Sequence, residues 1–364
     1  MEFIHEIDAV VLDFGGILKA EPKDTEEPIM TRIVDSAVHL LGSKQDIAHT
    51  VHRVFEDREE WDLVVLDGHG KMNNKNPHTN KSERYNVILL IINDLISTGQ
   101  LDTILERDIY GEESPALYLQ RLFSKKCIEY KQSMLHVGAT MSLVQIRHNF
   151  TTKKITVHVE TVGDSPVTIH CNGVKVLSSV IHTHTNLDEL KRLKDEKRIN
   201  MVATRPTISF KVLDENTLCA KDAKYICVGE CDLAMTQSLG HIEYKSWSRQ
   251  VGDETGVFGL APYKATMVFE ETDELNIKGY SDGVSDIIGD TIIYDNEFLT
   301  KSNAMETADF AKVRWEKMWR NVPEAVYLKT LEETGSTDTL KSAQHTFGDG
   351  MDDVSCVSWI QSRK

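Results

Sequence analysis

The chain has 364 residues, enough for one large domain or two ordinary ones, and its 40 % apolar and 27 % charged residues fit a soluble globular protein. Its 41 basic against 57 acidic side chains give a net charge of −16, which argues against a nucleic-acid binder held by phosphate contacts. No basic segment followed by an apolar core opens the sequence, and the longest apolar run, Val87 to Ile92, is too short to span a bilayer; the expectation is a cytoplasmic protein with no membrane partner.

The first apolar run, AVVLDFGGI (Ala9 to Ile17), ends in Asp13 and two glycines and reads as an edge strand and turn. Leu63 to Leu66 form a second short strand that feeds DGHG. After a loop rich in Asn, Lys and His, a helix is predicted over Glu83 to Ile96, because Val87, Leu90, Ile91 and Leu95 recur on one face. Pro115 suits a helix start, and Leu119, Leu122 and Phe123 continue that pattern to about Tyr130. From Ala139 the period drops to two in MSLVQI, KITVHVETV and PVTIHCNGVKVL, where Asn172-Gly173 is a hairpin turn signal. DELKRLKDEKR reads as a short surface helix with a solvated charged face. TISFKVL, YICVGE, ATMVFE and LNIKGY read as further strands, then a helix around Ala308 to Trp319 precedes a last strand from Val354 to Ile360.

No repeat or low-complexity linker divides the chain, so a single domain over residues 1–364 is expected. Hairpin-connected strands with helices segregated outside them predict an α+β fold and not a doubly wound parallel sheet. The six cysteines never form a CxxC pair and read as reduced core thiols; Cys227 and Cys231 have no second pair to complete a zinc site.

Three acidic signatures carry the chemistry. VVLDGHG places Asp67, Gly68 and His69 at a strand end, GYSDGVSDII places Asp282 and Gly283 at another, and GMDDVSCVSWI places Asp352 and Asp353 at the start of the final strand. Antiparallel neighbours bring the end of one strand beside the start of the next, so Asp67, Asp282 and Asp352 are expected on one rim. Carboxylates gathered without basic partners raise each other's pKa and call for a cation; hard oxygen ligands suit Mg²⁺ or Mn²⁺.

In this order the motifs resemble the metal-dependent serine/threonine protein phosphatases of type 2C. GATMSLVQI, VGDS, LAMTQSLGH and Pro262 fall where that family has further motifs, and the resemblance runs from about residue 60 to the C-terminus. It implies a four-layer αββα sandwich of two antiparallel sheets flanked by helices. It also implies a phosphoprotein substrate and a binuclear Mg²⁺/Mn²⁺ centre, with Asp67 bridging both ions, Gly68 offering its carbonyl, and Asp282 and Asp352 on the first ion. Two ions ~3.5–4 Å apart activate a bridging water and screen the phosphate. His69 would be the general acid that protonates the leaving oxygen.

The family's phosphate-holding arginine and acidic pair have their nearest counterpart in TRIVDSAV, which offers Arg32 and Asp35 at altered spacing. LAMTQSLGH has Gln237 for the usual arginine and His241 for the usual aspartate, and THTN (Thr183 to Asn186) replaces an Asp-His-Lys-Pro motif, so a third metal site is not expected. AVVLDFGGI also resembles the first motif of haloacid-dehalogenase-like hydrolases, with Asp13 as nucleophile. The residue two positions on is Gly15, and the alternating strand–helix units of that fold are missing. An active phosphatase and a catalytically silent, regulatory member of the same fold are the two functional readings.

Overall fold

The computed structural model describes residues 30–41, 46–70, 85–129, 133–196, 202–228, 231–242, 256, 258–289 and 300–364. The AVVLDFGGI segment, with Asp13, lies outside them.

Two antiparallel sheets face each other. One has the order β1 (Met30–His39), β17 (Val354–Arg363), β14 (Leu275–Tyr280), β7 (Val167–Cys171) and β8 (Val174–Ser178). The other has the order β12 (Leu239–Ile242), β4 (Met134–Ala139), β3 (Arg58–Gly70), β5 (Met141–Asn149), β6 (Lys154–Val162) and β13 (Tyr263–Glu270), with β2 (Asp46–Val54) also paired to β3. The alternation of each strand decides what it covers. Trp61, Leu63 and Val65 of β3, with Val144 and Ile146 of β5, meet Val167, Ile277, Val357 and Trp359 of the opposite sheet, and this is the inter-sheet core.

The intervening residues of the same strands point outward. Val64, Leu66 and Leu143 pack on three helices, α1 (Val87–Ser97), α2 (Gln100–Leu105) and α3 (Pro115–Glu129). On the far side, Tyr280 and Cys356 pack on α5 (Asp282–Ile288) and on α6 (Ala304–Glu316), whose Ala304, Ala308 and Ala311 permit a close approach. Helices, sheet, sheet, helices: the expected four-layer α+β sandwich is present. A third, smaller sheet, β11 (Cys231–Leu233), β10 (Thr217–Val228), β15 (Trp319–Asn321) and β16 (Ala343–His345) with β9 (Val202–Val212) beside β10, lies outside it and contains one parallel pair, β10 with β15.

Local signals hold in several places. Asn172 (φ 51°) and Gly173 (φ 78°) both adopt the left-handed conformation that a two-residue hairpin needs. Pro115 opens α3, and DELKRLKDEKR forms α4 (Leu187–Asp195), capped by Asn186. The charged face of α4 is less solvated than expected. Glu189 is buried and accepts hydrogen bonds from Arg192, Thr236 and Gln237. VGDS carries the chain from β6 to β7, that is, from one sheet to the other. Strands β1, β2 and β4 and helix α7 (Glu324–Thr334) are additional elements.

Candidate active site

The register of two strand pairs builds the site. Asp67, near the end of β3, stands directly across from Asp46, the first residue of β2. In the facing sheet, Asp282 follows the end of β14, and Asp352 and Asp353 precede the start of β17. Those two chain segments are stitched together: Ser281 N–H donates to the Ser355 carbonyl at 3.0 Å, and Ser355 N–H donates to Ser281 Oγ at 3.0 Å. Ser355 Oγ then crosses between the sheets and donates to Asp46 Oδ2 at 2.7 Å. The rim thus gathers Asp46, Asp67, Asp282, Asp352 and Asp353.

Its electrostatics follow from that crowding. Burial pushes the Asp46 carboxyl up to about 8; the Ser355 hydrogen bond opposes the shift, and the charges of Asp353, Asp352 and Asp282 add to it. Gly283 is required for the close approach, because a Cβ there would collide with the Asp353 carbonyl oxygen. Trp315 Nε1 donates to the Gly283 carbonyl at 2.7 Å and anchors the start of α5.

His69 is buried beside the rim. Its Nε2 lies 3.0 Å from Nε2 of His241 and 2.9 Å from Ser238 Oγ, and the two rings are nearly parallel with centroids 5.2 Å apart. His241 Nδ1 lies 2.6 Å from the Leu135 carbonyl, and burial lowers this imidazole to about 4, so it is neutral. Gly138 makes room for the cluster: a Cβ there would stand no more than 2.6 Å from Ser238 Oγ and His241 Nε2. The His69 carbonyl accepts from Asn86, the residue that caps α1.

Of the sequence-derived candidates, Asp67, Gly68, His69, Asp282 and Asp352 come to this end of the sandwich. Gly68 pairs with Ala139, while the neighbouring Asp67 carbonyl accepts from Thr140 N–H at 2.9 Å. Arg32 does not come to it. Arg32 pairs with Gln361, whereas the rim end of the same pair of strands is His39 with Val354, so Arg32 stands about 23 Å further along β1 at ordinary strand rise. There it hydrogen-bonds Gln361, Glu59 and His148 and faces Trp61 and Trp359 at 5.6 and 5.9 Å. Asp35 accepts from Met305 N–H at the start of α6. Gln237 is wholly buried, donating to Glu189 and accepting from Ala261 N–H. Thr183 forms a bridge with Met235. Asp46 and Ser355 are new to the site. The strand-turn-strand pattern of DIAHTVHRVFEDREEWDLVVLD would have pointed to Asp46 as the partner of Asp67.

The donor set is all oxygen, which suits a hard divalent cation. The buried Oδ1 atoms of Asp46 and Asp282 have no hydrogen-bond partner, and the Asp46 carboxyl, held neutral by burial beside like charges, is in the condition such a cation relieves. Among the described residues, no three His, Cys, Asp or Glu side chains already stand as a metal-holding group. The residue types fit the ion, and binding it requires the carboxylates to turn toward a common centre.

No protein-family model and no curated protein matches the chain. Among solved structures, it is similar to a C. elegans sex determining protein, at 14 % identity and a TM-score of 0.46, over 93 % of this chain and 66 % of that one. It is also similar to the S. agalactiae serine/threonine phosphatase (13 % identity, TM-score 0.42, 91 % and 99 % covered) and to serine-threonine phosphatase 2C from Toxoplasma gondii (12 %, 0.44, 93 % and 96 %). These are distant likenesses of architecture, and the chemistry is read from the rim itself.

Proposed function

We propose that residues 1–364 form one catalytic unit, a cytoplasmic protein serine/threonine phosphatase that hydrolyses phosphoserine and phosphothreonine with two Mg²⁺ or Mn²⁺ ions. The observation that carries this reading is the Asp46 carboxyl, buried against Asp67, Asp282, Asp352 and Asp353 at the junction of the two sheets. Asp67, Asp282 and Asp352 would hold the ions with the Gly68 carbonyl, and Asp46 and Asp353 would complete the negative wall. When bound, two such ions supply an activated water and screen the charge of a phosphate. The chain's own residues do the rest. Ser355 fixes the Asp46 carboxyl, Gly283 holds the Asp352-Asp353 backbone against α5, and His69 manages the proton that the leaving serine or threonine oxygen requires. Among the described residues no helix is long and apolar enough to cross a membrane.

Calorimetric titration with Mn²⁺, paired with hydrolysis of a phosphoserine peptide, tests the proposal. Two sites are expected, and Asp67→Asn or Asp282→Asn should lose Mn²⁺ affinity and activity while the fold persists. Unchanged turnover in both variants would overturn it. A silent, regulatory protein on the same fold is the second reading, favoured by the lack of a preformed metal-holding group among the described residues. It requires that Mn²⁺ bind nowhere on the rim.

A further inference from the structure

The buried contact between His69 and His241 fixes where a proton sits. A neutral imidazole carries one N–H, and the nitrogen facing a carbonyl must be the donor, because two lone pairs at that distance repel. His241 Nδ1 faces the Leu135 carbonyl at 2.6 Å and therefore holds its proton. Its Nε2 is then an acceptor, and it faces His69 Nε2 at 3.0 Å. The Ser238 hydroxyl points the same way: it is 2.8 Å from the Leu239 carbonyl and 3.3 Å from that of Ala139, so its hydrogen has carbonyl partners and its oxygen can accept from His69 at 2.9 Å. We propose that His241 is a positioning residue, which together with Ser238 holds an N–H of His69 on Nε2 and so selects the tautomer whose lone pair is on Nδ1.

The burial that keeps His241 neutral supports this, since a cationic His241 would present a donor instead. Gly138 is part of the device: any side chain there would occupy the space between Ser238 and His241. The consequence for hydrolysis rests on the phosphatase reading given above. There, the nitrogen left to exchange a proton with the leaving serine or threonine oxygen is Nδ1, while Nε2–H stays on its two acceptors.

Long-range proton–nitrogen NMR spectra of the metal-free, full-length protein, labelled with ¹⁵N-histidine, read the tautomer directly. His69→Gln assigns its signals. At pH 8 the expected pattern is a pyrrole-type Nε2 and a pyridine-type Nδ1 for His69, and the reverse for His241. His241→Phe keeps an aromatic ring and removes both nitrogens. It should shift His69 toward an average of the two tautomers and lower turnover of a phosphoserine peptide roughly 10- to 100-fold, the ordinary cost of losing an orienting partner. An Nδ1–H or averaged His69 in the unaltered protein overturns the proposal, whether or not the variant folds; so does a single Nε2–H tautomer that survives in His241→Phe. A fixed tautomer in a protein without any phosphatase activity upholds the positioning role and refutes the proposed function instead.

Discussion

Asp46→Asn isolates the electrostatic cost of the rim. In the folded protein this carboxyl titrates at about 8, against an ordinary value near 3.8, because it is buried among Asp282, Asp352 and Asp353. Between those values the native state binds more protons than the unfolded chain, so stability falls as pH rises. Below the lower value both states are protonated and nothing is lost; above the upper value the cost is complete. At about 1.4 kcal/mol per pH unit, the metal-free protein loses on the order of 5 kcal/mol across the window, shared among coupled carboxylates. Asn preserves the shape and can still accept from Ser355, but it cannot ionise. In urea unfolding with a chelator present, Asp46→Asn should match the unaltered protein near pH 4 and exceed it at pH 8.5 by about 3 kcal/mol or more. Mn²⁺ should reverse that order, because the ion needs the charge that Asn lacks. Equal stabilities at pH 8.5, or an equally steep pH slope in the variant, would refute the reasoning.

Four further outcomes follow from the geometry. Gly283→Ala forces a methyl group into the Asp353 carbonyl and should destabilise by about 2–3 kcal/mol, measurable as a lower urea midpoint with unchanged slope. Trp359→Ala opens a cavity between the sheets, where the ring is wholly buried, and should cost about 3–5 kcal/mol in the same assay. Arg32→Met strips Glu59 and His148 of their cation far from the rim; it should lower stability by about 2 kcal/mol and leave KM for a phosphopeptide unchanged, and a raised KM would return Arg32 to the site. His69→Gln should slow a phosphoserine peptide by ~10²–10⁴-fold and p-nitrophenyl phosphate far less, since a nitrophenolate leaves without help; equal slowing would show that His69 only orients water or substrate.

Much of the architecture is local and therefore legible. The period-two runs from MSLVQI onward became strands because alternation commits each strand to two different faces, and here both faces are covered, one by the other sheet and one by helices. Asn172-Gly173 specified its own turn. Where alternation is diluted by polar residues, it is silent: MTRIVDSAVH and DIAHTVHRV carry Arg32, Asp35, His49 and His52 among their apolar positions, and both are strands only because β17 and β3 supply their hydrogen-bond partners. LAMTQSLGH was legible as a motif, but not the contact it makes. Nothing local says that His241 will meet His69 across 172 positions of sequence.

The sequence by itself determined which carboxylates were available and that several fall at strand ends: Asp67 before glycine, Asp282 before glycine, and the Asp352-Asp353 pair. Those are short-range facts, set by turn chemistry and by the reach of a few residues. Only the tertiary structure decided which end of each strand shares the rim, because that depends on pairing register. Register brought Asp46 opposite Asp67 and sent Arg32, on β1 of the facing sheet, to the opposite end beside Gln361. It also decided the charge state of the rim. A carboxyl's pKa depends on desolvation and on neighbours in space: burial pushes Asp46 up to about 8, and the charges that add to it lie more than 200 residues away along the chain.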